Sequence, residues 1–115
     1  MEKLTDNKWG IKPLSVERRK EIANTIYKQL GGGKFSAMTG AKNFVFTESG
    51  LQFKIGRNSK GINFVKIDYN AKDLYDVEFG KVRSTNYKTI KKFSDVYNDQ
   101  LVSIFEETTG LYTHL

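Results

Sequence analysis

The spacing of apolar residues changes from a helical to a strand period at one place in this chain, the three consecutive glycines of residues 31–33. Before the glycines, apolar side chains recur at helical spacing: Ile22, Ala23, Ile26, Tyr27 and Leu30. This stripe predicts an amphipathic helix with Ser15 as its N-cap. The glycines are predicted to end the helix, because glycine takes the left-handed conformation of a helix C-terminus at little cost.

After the glycines, apolar and polar residues alternate, as in strands with one buried face. Strands are predicted over residues 34–39, 44–47, 51–55, 62–69 and 74–83, with a hairpin turn at 48–50. Residues 84–92 read either as a loop or as a weak edge strand. A last helix is predicted from an N-cap at Ser94 or Asp95 to Gly110. The fold class is therefore α+β: an antiparallel four- to five-stranded sheet with an N-terminal and a C-terminal helix packed on one face.

The length and composition favour one domain. A chain of 115 residues is too short for two cores, so we expect an N-terminal arm over residues 1–14 and a single domain over 15–115. The sequence contains no cysteine and no apolar segment long enough for a signal peptide or a membrane span. These features predict a soluble, cytoplasmic protein without a membrane partner.

The charges are unevenly distributed along the chain. Residues 50–92 carry ten Lys and Arg against four Asp and Glu, whereas residues 93–115 carry four acidic residues and no Lys or Arg. Such segregation favours a polyanionic or oppositely charged partner, and the alternative is a solubilising surface without a ligand.

The basic residues on predicted strands and loops form the candidate nucleic-acid-binding set: Lys34, Lys42, Lys54, Arg57, Lys60 and Lys66. A basic sheet face with nearby aromatic rings suits a nucleic-acid backbone and its bases. Five further residues either extend this patch or protect a sheet edge: Lys81, Arg83, Lys88, Lys91 and Lys92.

A second candidate site is the stretch of small and polar residues that interrupts the strand pattern at residues 38–43. One reading is a bulge or tight turn in which Gly40 takes a conformation closed to other residues. The other is a ligand loop in which Thr39, Gly40, Lys42 and Asn43 contact a ligand, a phosphate or a partner.

Catalysis is not expected. The only histidine is His114, next to the C-terminus, and without cysteine the usual zinc sites and thiol nucleophiles are missing. The glycine segment does not match a phosphate loop, since a helix precedes it and no Ser or Thr follows Lys34. We therefore expect a non-enzymatic protein with no cofactor and no metal.

The segment 29–46, QLGGGKFSAMTGAKNFVF, resembles a family of small bacteriophage and mobile-element proteins from which no activity or catalytic residue can be carried over. Residues 74–76 (LYD) and 110–115 (GLYTHL) extend the resemblance over roughly residues 20–115. It implies an accessory protein of a phage or mobile element that acts inside the bacterial host.

The leading hypothesis is an accessory protein that binds nucleic acid through a basic sheet face. The alternative is a protein-binding inhibitor of a host defence system, such as an anti-CRISPR-like protein or a nuclease inhibitor. That inhibitor would use either the basic surface or the acidic residues predicted on the last helix: Asp99, Glu106 and Glu107. A third possibility is a small virion or assembly component.

Overall fold

The computed structural model of the chain describes residues 15–113. Its helices are α1 (Val16–Leu30), α2 (Gly32–Thr39) and α3 (Leu101–Thr109). Its strands are β1 (Lys42–Phe46), β2 (Gly50–Lys54), β3 (Phe64–Tyr69), β4 (Tyr75–Arg83) and β5 (Asn86–Val96). The predicted arm over residues 1–14 lies outside the described residues, and so does His114.

The first helix forms as its sequence predicts. The hydroxyl of Ser15 accepts a hydrogen bond of 3.1 Å from the backbone N–H of Arg18, which satisfies one of the free donors of the first turn. The buried side of the helix consists of Ile22, Ala23, Ile26 and Leu30. Gly31 ends the helix, as expected, with a φ of 125°.

The segment predicted as a strand at 34–39 is instead the second helix, α2, and this prediction is wrong. Gly31 is both the C-cap of α1 and the N-cap of α2, so a new helix starts directly at Gly32. Phe35 and Thr39, four residues apart, then form the buried face of α2. Ser36, Ala37 and Met38 separate these two positions, and the periodicity of so short a segment does not distinguish a strand from a helical turn.

The five strands form one antiparallel meander in the order β1-β2-β3-β4-β5. The strand residues on one face are buried together with residues of all three helices, and we call this the inner face. Its buried members on β2, β3 and β4 are Leu51, Phe53, Val65, Ile67, Tyr75, Val77 and Phe79. The fold class is therefore α+β, with a five-stranded antiparallel sheet, as predicted from the alternation of apolar residues.

The secondary structure of the residues between β4 and α3 differs most from the prediction. The ambiguous segment is a strand, β5, which continues past Lys92 to Val96 and pairs with Tyr75 there. Neither Ser94 nor Asp95 caps a helix, because both lie in a bulge of β5 where Asp95 has a φ of 56°. A single 3₁₀ turn at Asn98–Gln100 leads into α3. The predicted end of α3 at Gly110 is confirmed.

Candidate nucleic-acid interface

Successive turns of a meander lie at alternate ends of the sheet. In this sheet the turns at the two ends carry opposite charges. One end comprises the start of β1, the β2–β3 loop and the tip of the β4–β5 hairpin, at residues 40–43, 54–63 and 80–90. These segments contain seven basic residues and no Asp or Glu: Lys42, Lys54, Arg57, Lys60, Lys81, Arg83 and Lys88. We call this set the basic end.

The turns at the opposite end of the sheet are acidic. They lie at residues 47–49, 68–76 and 94–96 and carry five acidic side chains with one lysine: Glu48, Asp68, Asp73, Asp76, Asp95 and Lys72. Here opposite charges compensate, since Lys72 lies 3.1 Å from Asp95. The charge polarity therefore runs along the strands.

Like charges face each other directly at the basic end. Lys42 is the cross-strand partner of Lys54, and Lys81 is that of Lys88. Directly opposed like charges destabilise a strand pair. Within the part of the chain that the structure describes, none of the seven cations forms an ion pair. A bound anion would relieve this repulsion.

The β2–β3 loop, which carries Arg57 and Lys60, is held in one conformation by Asn58. The side-chain amide of Asn58 donates to the carbonyls of Gly56 (3.0 Å) and Ile62 (2.6 Å). Its oxygen accepts from the backbone N–H groups of Lys60 (3.1 Å) and Ile62 (3.2 Å). The loop is therefore ordered without a ligand, which reduces the entropy lost on binding.

The same loop is fixed to the β4–β5 hairpin by Asn63. Its side chain donates to the carbonyl of Val82 at 2.9 Å and accepts from the N–H of Val82 at 2.8 Å. The amide thus extends the β3–β4 ladder by one pair beyond Phe64. Two separate groups of cations, on the loop and on the hairpin, are thereby held in a fixed relation.

The outer face of the sheet, opposite the helices, carries an aromatic residue at the basic end. Tyr87 lies over Gly80, where an added Cβ atom would overlap the phenol. Its ring meets that of Phe64 edge to face, with centroids 5.5 Å apart. Its hydroxyl donates to Glu78 at 2.7 Å. Tyr87 is nevertheless 44% exposed.

The contacts between Tyr87 and Glu78 shift the pKa of both side chains. Partial burial and the hydrogen bond to Glu78 raise the pKa of Tyr87 to about 12, so the phenol stays neutral. Partial burial alone would raise the pKa of Glu78. The hydrogen bonds from Thr89 and Tyr87 and the nearby charges of Lys92 and Lys66 outweigh it, and the pKa of Glu78 is lowered.

The structure brings together four of the six residues predicted to bind nucleic acid: Lys42, Lys54, Arg57 and Lys60. Lys66 lies on the outer face one row away, between Gln52 and Glu78, and 3.9 Å from Asp68. Lys34 is exposed on α2, so its predicted position on a strand is wrong.

Three further basic residues join the same end of the sheet. Lys81, Arg83 and Lys88 belong to the basic end, at the hairpin tip. Tyr87 was not singled out by the sequence. The signal that could have found it is the meander itself, since the β2–β3 and β4–β5 connections must lie at the same end of the sheet.

The predicted ligand loop divides into a buried and an exposed part. Thr39 is 2% exposed, and its hydroxyl donates to the carbonyl of Phe35 at 2.7 Å, so it is not available to a ligand. Gly40 ends α2 with a φ of 72° and packs against Gly56. This conformation corresponds to the first of the two interpretations of residues 38–43, a tight turn that requires glycine at position 40. Lys42 and Asn43 remain exposed.

The three acidic residues predicted to contact a partner have different surroundings. Glu106 accepts hydrogen bonds from the N–H of Thr113 (2.8 Å) and from its hydroxyl (2.9 Å). Its carboxylate therefore holds the segment after α3. Glu107 is exposed on α3, whereas Asp99 lies before the helix in the 3₁₀ turn.

Residues 15–113 contain no group of three or more His, Cys, Asp or Glu side chains that could hold a metal ion. None of the described helices is both long and apolar enough to cross a membrane. The chain matches no protein-family model, no curated protein and no solved structure.

Proposed function

We propose that the protein binds nucleic acid without catalysis and that the basic end is its interface. The observation that carries this proposal is the set of seven cations without a carboxylate among them, two pairs of which face each other across strands. A polyanion neutralises such a set and releases the counterions condensed on the nucleic acid, which drives binding. The two asparagine-anchored connections hold the cations in position before binding.

The resemblance to phage and mobile-element proteins supports a proposal for where the protein acts. We propose an accessory protein that acts in the cytoplasm of a bacterial host, where both DNA and RNA are accessible. The phosphate contacts alone would not distinguish sequences, because they carry no base information.

The first test is the double variant Lys54→Glu with Arg57→Glu. Both residues are exposed, so we expect the fold to be retained and nucleic-acid binding to be abolished at physiological salt. At low salt, the slope of log K against log[salt] should become shallower by about 0.7 to 0.9 for each phosphate that the variant no longer neutralises. Fluorescence anisotropy with a labelled oligonucleotide at several salt concentrations measures both quantities.

The matched control is Lys28→Glu with Lys34→Glu, which makes the same change in net charge on α1 and α2. It should weaken binding only slightly, through the long-range field. If the control weakened binding as much as the Lys54 and Arg57 variant, the basic end would not be the interface. Absence of any binding by the natural sequence at low salt would contradict the proposed function itself.

The competing function is inhibition of a host protein, in which the basic end would meet an acidic protein surface. A complex captured from host lysate that survives nuclease treatment, and that the Lys54 and Arg57 variant fails to form, would support this alternative. Charge reversal of Glu107 tests the other version of it, contact through α3.

A further inference from the structure

The aromatic group at the basic end is fixed before any ligand binds. The hydroxyl of Tyr87 is hydrogen-bonded to Glu78 at 2.7 Å, and its ring lies against Phe64. Gly80 provides the space beneath the ring, because any side chain there would displace it. An exposed ring that is already held in place loses little conformational freedom when a flat ligand stacks on it.

A row of cross-strand neighbours leads from the position beneath the Tyr87 ring to two lysines. Phe64 is the cross-strand neighbour of both Gly80 and Lys54, and Lys54 is that of Lys42. With strands about 4.8 Å apart, the row from Gly80 to Lys42 spans roughly 15 Å. All of these positions lie on the outer face, away from the helices. The row therefore offers an aromatic surface at one side and two ammonium groups at the other.

This order of groups corresponds to the chemistry of a single strand, whose bases are free to stack and whose phosphates follow at short intervals. In a duplex the bases stack on one another, so a tyrosine on a flat sheet face gains nothing from them. Resting on the function proposed above, we propose that the ligand is single-stranded nucleic acid, with an unpaired base stacked on Tyr87 and flanking phosphates bound by Lys54 and Lys42.

The test separates stacking from charge by using strands with equal numbers of phosphates. The probes are an oligothymidylate, its ribose equivalent, an abasic strand of the same length and a duplex. The natural sequence should bind the base-bearing strands about 5- to 160-fold more tightly than the abasic strand, which is the range expected for one stacked base. Tyr87→Ala should remove this preference and leave the salt dependence intact.

Two further variants make the test independent of any loss of stability in Tyr87→Ala. Gly80→Ala leaves the tyrosine in the sequence but expels its ring from its position, so it should remove the same preference. Tyr112→Ala removes a tyrosine that is 73% exposed, outside the sheet, and should change nothing. The deoxyribose and ribose strands show which nucleic acid the protein prefers.

The outcomes distinguish the two proposals. Equal, salt-dependent binding of base-bearing and abasic strands would overturn the stacking inference and leave the proposed function standing. Preferential binding of the duplex would also overturn it, in favour of the β4–β5 hairpin entering a groove. No binding of any probe at low salt would overturn both.

Discussion

Glu78 places a carboxylate next to the aromatic group of the basic end, where a negative charge would oppose a polyanion. Its contacts explain why it is tolerated. The carboxylate accepts hydrogen bonds of 2.7 Å from both Tyr87 and Thr89. It also lies between Lys66 and Lys92 in the register of the sheet, so its charge is compensated locally. At the scale of a single residue, Glu78 therefore acts as the anchor of Tyr87.

This role predicts a pH dependence. Because the pKa of Glu78 is lowered in the folded protein from its ordinary value of 4.5, the ionised carboxylate stabilises the fold above about pH 4.5. That contribution disappears as the pH falls through the lowered pKa. Glu78→Gln should cost about 1 kcal/mol at pH 7 and less at pH 3. Urea unfolding of both proteins at the two pH values measures the difference.

The control for this comparison is Glu107→Gln, which removes an exposed carboxylate from α3. It removes the same charge from an exposed position and should change the free energy of unfolding only slightly. A cost of Glu78→Gln that did not depend on pH would show that the charge of Glu78 is not what holds Tyr87.

The β2–β3 connection shows how one side chain orders a whole element. The side chain of Asn58 donates two hydrogen bonds and accepts two within the loop, and Asn63 joins the end of the loop to the hairpin at Val82. The loop can therefore present Arg57 and Lys60 as fixed charges. Without these bonds a polar connection of this length would sample many conformations.

Because Asn58 orders the β2–β3 loop, Asn58→Ala should weaken nucleic-acid binding although Asn58 carries no charge. Backbone groups of Lys60 and Ile62 would lose their partner, which should cost roughly 1 to 3 kcal/mol of stability. Affinity for an oligonucleotide should fall several-fold at temperatures where the variant is still folded. Ser59→Ala, an exposed neighbour without a side-chain hydrogen bond among the described residues, is the control and should bind normally. Unchanged affinity in Asn58→Ala would mean that loop order does not contribute.

The sequence predicted the elements whose own residues determine them. Ser15 and the apolar stripe of α1 specify that helix, and the alternation in β2 to β4 specifies the sheet. α2 and the end of β5 were mispredicted because neighbours decide them. Phe35 packs on Phe53 and Phe105 from distant parts of the chain, and Val96 stays in a strand because it pairs with Tyr75. The intrinsic preference of a short sequence segment for helix or strand reflects neither of these long-range contacts.

The candidate site was predicted in part for the same reason. The sequence separates a basic middle from an acidic C-terminal segment, but the folded charges separate along the strands. Glu48 and Asp73 share one end of the sheet although a basic loop lies between them in sequence. At the scale of the whole molecule, the meander converts alternating turns into two oppositely charged ends, and such a polarity orients the protein as it approaches a polyanion.

The most direct test of the basic end as the interface is an NMR titration of ¹⁵N-labelled protein with a short single-stranded oligonucleotide at low salt. We predict that the largest changes in amide chemical shift occur at residues 40–43, 54–63 and 80–90. The acidic turns at residues 47–49 and 68–76 should change little. Shifts centred on α3 or on the acidic turns, with the basic end unaffected, would contradict the account.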